Sequence, residues 1–121
     1  MRLPCERQSA RLARSFVADT LSSWLGSRDH EVAALLTSEL VTNAVLHAGT
    51  EVGVTITLAR TVVRIAVDDG SDRCPQPLRP DDYASAGRGL QLIDDLADGW
   101  GVDPVPDGGK IVWFMLDDGA G

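Results

Sequence analysis

The chain has 121 residues, 44% of them hydrophobic, 24% charged and only 5% aromatic. That is enough for a single domain, residues 1–121, with a sizeable core. No apolar run approaches the roughly 18 residues that a membrane span needs. A net charge of -7 argues against nucleic acid as a partner, because binding a phosphate backbone needs a basic face.

The start of the chain, Met1 to Ala10, is polar and lacks the apolar centre of a signal peptide, so a cytoplasmic location is expected. From about Glu6 to Leu25, Ala13, Phe16, Val17, Thr20, Leu21, Trp24 and Leu25 recur at helical spacing. Gly26 is a plausible stop, and Asp29 then caps a second helix from about His30 to His47, ending at Gly49. After Gly49 the period changes to two. Val52, Val54, Ile56 and Leu58 alternate with polar or small residues and predict a half-buried strand. A turn near Arg60 leads to a second strand, Thr61 to Val67, in an antiparallel hairpin. From Asp69 to Arg88 the pattern fails, and Pro75, Pro77 and Pro80 mark a long loop of the kind usually tied to function. A short helix, Leu90 to Ala97, and strands near Trp100 to Val102 and Ile111 to Leu116 close the chain. Helix, helix, strand, strand, loop, helix, strand, strand predicts an α+β fold, with helices on one face of a mainly antiparallel sheet. Cys5 and Cys74 form no CxxC pair and predict neither a zinc site nor a disulfide framework.

The second helix holds the most informative residues. Glu39, Asn43 and His47 are spaced i, i+4, i+8 and share one side, interleaved with Val32, Leu35, Leu36, Leu40 and Leu46. Thr37, Ser38 and Thr42 occupy positions read as water-facing. A buried carboxylate needs a partner or a shifted pKa. A pocket lined by this face would let Glu39 act as general base and let Asn43 offer its amide oxygen to a hard cation such as Mg²⁺. The alternative is a polar trio that bonds to loops or sits at a groove edge. Asp68 and Asp69, followed by Gly70, suit either an Asp-Gly turn or a carboxylate that accepts a hydrogen bond from an exocyclic amine, with a ligand ring close to the glycine backbone. Gly87, Arg88, Gly89 and Leu90 open a helix, where backbone N–H groups and the dipole favour phosphate. A flexible helix entry explains them equally. Neither GxxxxGK[ST] nor GxGxxG occurs.

Taken in order, these pieces resemble the GHKL (histidine-kinase-like) ATPase superfamily, and within it the RsbW/SpoIIAB-type anti-sigma-factor serine kinases and their stand-alone regulatory relatives. SELVTNAVLHA resembles the N box, VDDG the DxG box, GRGLQLIDDLAD the second glycine box and DGGKIVWFML the closing strand. Asp72 stands where the fuller DxGxG pattern has glycine, and Ile111 where the closing strand often has Thr. The resemblance implies a two-layer α/β sandwich of the Bergerat type that binds ATP and Mg²⁺. It implies Glu39 as the catalytic base and Asn43 as the Mg²⁺ ligand. It further implies that His47, Asp68, Gly70, Gly87, Arg88, Gly89 and Leu90 contact the nucleotide, with Asp68 recognising adenine. An active member would phosphorylate a serine on a small antagonist protein and bind a sigma factor, often as a homodimer. The alternative is an ATP-binding interaction module without kinase turnover.

Overall fold

The computed structural model describes residues 1–22, 27–48, 51–70, 91–106 and 108–117, with only the backbone of residues 27, 28, 47 and 48. In chain order these form β1 (Arg2–Leu3), α1 (Gln8–Leu21), α2 (Ser27–Asn43), a π-helical segment (Ala44–Ala48), β2 (Val52–Ala59), β3 (Val62–Asp69), β4 (Gly99–Pro104) and β5 (Lys110–Asp117). Residues 91–96, between β3 and β4, are also helical. The five strands make one sheet in the order β1-β2-β3-β5-β4, and every neighbouring pair is antiparallel. The fold is therefore α+β, as the order of elements predicted.

The core lies between the helices and one face of this sheet. Ala13, Val17 and Leu21 of α1 and Ala33, Leu36, Leu40 and Val41 of α2 cluster with Val52, Val54, Val63, Ile65, Val67, Val112, Phe114 and Leu116. Strand side chains alternate between faces, so this set defines an inner face. The other face carries Thr55, Thr57, Arg64, Ala66, Asp68, Trp113 and Met115. Helix α2 packs on β3 and β5, and α1 packs on α2.

Several boundaries differ from the sequence reading. Helix α1 starts at Gln8 rather than Glu6, because the chain turns out of β1 first. Glu6 N–H bonds the Pro4 carbonyl at 2.8 Å, and Ser9 Oγ donates to that carbonyl at 2.7 Å. Trp24, Leu25 and Gly26 lie outside the described residues. Helix α2 begins at Ser27, which puts Asp29 in its first turn, where a negative charge suits the dipole, rather than at the cap. Thr37 is fully buried, not water-facing. Its hydroxyl donates to the Ala33 carbonyl one turn back at 2.8 Å, and that bond makes burial tolerable. The hairpin turn is Arg60-Thr61 between paired Ala59 and Val62, with Arg60 at φ 55°. Strand β3 runs two residues further than its apolar pattern, so Asp69 is strand rather than loop and pairs with Val52. The rest of the expected loop, from Ser71 to Arg88, lies outside the described residues.

Candidate functional site

Glu39 and Asn43 sit one turn apart on α2, and the helix changes to π geometry at the next residue. Such a widened turn costs hydrogen-bond geometry and recurs at functional sites. Here the Val45 carbonyl within it accepts the Cys5 thiol at 3.7 Å. The centre of the buried face runs through Ala33, Leu36, Thr37, Leu40, Val41 and Ala44. Glu39 and Asn43 are half-buried and lie on the shoulder of that face, not in its middle. The Asn43 Oδ1 atom is buried and accepts no hydrogen bond from the described residues, although the residue is otherwise engaged, as is Glu39. A buried amide oxygen with no donor is costly. A hard cation is one ligand that would satisfy it. No three Asp, Glu, His or Cys side chains cluster for a metal among the described residues.

The two aspartates after the apolar part of β3 point to opposite faces. Asp68 lies on the outer face, where Arg2 Nη1 donates to its Oδ1 at 2.7 Å, and Arg2 Nε bonds Glu51 at 2.9 Å. The hydrogen bond to Asp68, and then that to Glu51, raises the Arg2 pKa above its ordinary value. Gly53 faces Asp68 across the ladder, and a Cβ there would strike both Arg2 Nη1 and the Asp68 carboxylate. Asp69 shares the inner face with Val63, Ile65 and Val67 and is buried. Its Oδ1 accepts the Lys110 backbone N–H at 3.1 Å, and its Oδ2 accepts Lys110 Nζ at 2.9 Å.

The resemblance implies Asp68 as the adenine-recognising residue. Strand alternation puts Asp68 on the outer face and Asp69 on the face that packs against the helices. The same parity moves Ile111 outward, opposite Asp68, and turns Lys110 inward. The departure at Ile111 therefore does not bear on the inner face. Beyond Asp69, a Cβ on Gly70 would meet no described atom within 4 Å.

The π segment packs on β3, which joins the Glu39–Asn43 helix to the strand that carries Asp69. The His47 side chain and Gly87, Arg88, Gly89 and Leu90 lie outside the described residues. The helix after them is anchored, because Ile93 is fully buried and Trp100 Nε1 donates to Asp94 at 3.0 Å. Sequence reasoning missed β1, the Arg2–Asp68 pair and Lys110. The available signal for Lys110 was its place after two glycines at a strand start. Gly108 and Gly109 have φ of 104° and 81°, and a Cβ on Gly109 would run into the Asp69 carbonyl oxygen.

Residues 3–116 match the family model of the histidine kinase-like ATPase domain. Comparison with curated proteins returned no match.

Proposed function

The chain belongs to the histidine kinase-like ATPase family, and from that premise we propose that it is an Mg²⁺–ATP-dependent regulatory kinase. It phosphorylates a serine or threonine of a small antagonist protein and sequesters a sigma factor. The observation that carries this reading is the placement of Glu39 and Asn43 one turn apart on the shoulder of the buried face, directly before the π segment.

In this reading Glu39 takes the proton from the acceptor hydroxyl while that oxygen bonds the γ-phosphorus of ATP. The bond from that phosphorus to the bridging oxygen breaks, and ADP leaves with the electron pair. Positioning and charge stabilisation carry most of the rate in such transfers. Asn43 holds Mg²⁺, which neutralises phosphate charge when bound. Gly87, Arg88, Gly89 and Leu90 would cradle the phosphates, His47 would contact the nucleotide, Gly70 would admit the base, and Asp69 rather than Asp68 would accept from the adenine amine. Arg7, Arg11, Arg14, Gln8 and Ser38 line a groove of about 540 Å³ across α1 and α2. In a chain of net charge -7, a groove with three arginines favours an acidic segment of a protein partner.

Incubation with Mg²⁺ and labelled ATP, alone and with candidate antagonist proteins, tests the reading. Glu39→Ala should retain nucleotide and lose transfer by about 10²–10⁴-fold, the usual contribution of a general base. Transfer that survives in Glu39→Ala would overturn the assigned chemistry. ATP binding with no transfer to any antagonist would leave an interaction module in place of a kinase. Absence of thermal stabilisation by millimolar ATP would overturn nucleotide binding itself, since a ligand selective for the native state must stabilise it.

A further inference from the structure

The groove of about 540 Å³ between α1 and α2 has an uneven lining. Arg7, Gln8, Ala10, Arg11 and Arg14 come from the α1 side, and Ser38 comes from α2. The arginines are exposed, whereas the two small residues, Ala10 and Ser38, are half-buried. Arg7, at the N-cap of α1, already has helical backbone geometry. The three arginines therefore stand at i, i+4 and i+7 and share one side of the helix. Along the helix axis they are about 6 Å and about 4.5 Å apart. Three of eleven basic residues thus gather at one groove of a chain with eighteen acidic ones. Among the described residues, Arg11 and Arg14 enter no ion pair. Like charges one turn apart repel, and carboxylates seated between them would relieve that repulsion.

The walls decide what shape of acidic segment fits. Both are helical, so the groove offers no free sheet edge. An extended segment laid there would leave its own N–H and C=O groups without backbone partners, whereas a helix satisfies them internally. A helix also repeats the spacing of the arginines. Carboxylates at its own i, i+4 and i+7 can meet all three guanidinium groups. An extended segment puts same-side residues about 6.6 Å apart and overshoots the step from Arg11 to Arg14. Ala10 and Ser38 are small enough to let a third helix pack closely. We propose that this groove docks an acidic helix of a protein partner, with carboxylates at that spacing along one side. This deepens the partner reading given above, and the docking step itself requires neither nucleotide nor transfer.

Fluorescence anisotropy on the native chain tests it. The probes are labelled alanine-based peptides of about 18 residues, longer than the length at which isolated helices are marginal. One carries glutamates at i, i+4 and i+7. A second has the same composition with the glutamates spread around the helix. A third is the first peptide broken by proline. The first should bind at least about ten-fold more tightly than the other two, because only it pairs all three arginines at once. In Arg11→Gln/Arg14→Gln that advantage should disappear. Ser38→Gln fills the groove and keeps every arginine, and it should remove the advantage as well. Equal binding of the three peptides, no binding of the first, or an advantage that survives in either variant would overturn the proposal. Thermal stabilisation by Mg²⁺–ATP is measured on the same samples. Failed docking with that stabilisation intact overturns this inference alone. Docking without it supports this inference and overturns the nucleotide reading.

Discussion

The two faces of the sheet carry the same charge pair in opposite settings. Asp68 and Asp69 are neighbours in β3, and each meets a cation from a distant part of the chain. On the outer face Arg2 bridges Asp68 and Glu51, and its side chain is 57% exposed. On the inner face the Asp69 carboxylate is almost wholly buried beneath Lys110. Water screens the first pair, so it contributes little. The second pair makes a buried carboxylate tolerable, and removing one partner strands the other. Adjacent identical residues thus take different roles because a strand turns every second side chain to the other side.

The difference between the faces is easiest to break at the core itself. Phe114→Ala on the inner face should cost about 3–5 kcal/mol in chemical denaturation, since Phe114 is fully buried. Trp113→Ala, one residue earlier and facing outward, removes a half-exposed ring and its cation–π contact with Arg64, 5.1 Å from the ring centroid. Of that loss the cation–π contact itself is worth about 0.5–1 kcal/mol. Equal losses for the two variants would contradict the assignment of faces.

Gly109→Ala tests how the inner pair is held. It forces a Cβ at φ 81° against the Asp69 carbonyl. It should destabilise by roughly 1–3 kcal/mol, with a fall in melting temperature as the readout. The ion pairs themselves come next. Lys110→Met should cost about 1–3 kcal/mol by leaving Asp69 with one donor fewer. Arg2→Ala should cost no more than about 1 kcal/mol. High salt should erase the small Arg2 effect, because exposed charges are screened, and should leave most of the Lys110 effect in place. A larger or more salt-resistant loss at Arg2 than at Lys110 would reverse the ranking of the two pairs.

Much of the architecture was legible along the chain. The period-two run from Val52 to Leu58, the hairpin at Arg60 and the helical stripe through Ala13, Val17 and Leu21 each lie where the pattern put them. The two-residue β1 was not legible, because Arg2–Leu3 is too short to show a period and forms only by pairing with Val52 and Gly53. The end of β3 was obscured because two aspartates interrupt an apolar pattern that the backbone ladder continues. Glu39 and Asn43 stood out as polar residues at i, i+4 among leucines. Their position on the shoulder of the buried face depended on where the sheet lies.

By itself the sequence determined the element types, the helices-on-sheet arrangement and the Glu39–Asn43 spacing, all of which follow from local periodicity. Only the tertiary structure decided which aspartate faces the helices. That choice depends on the register of β3 against β2 and β5, and a one-residue shift exchanges the faces. Lys110 became relevant for the same reason. It lies 41 residues from Asp69 along the chain, and the β3–β5 ladder together with the Gly108-Gly109 turn sets it over the buried carboxylate.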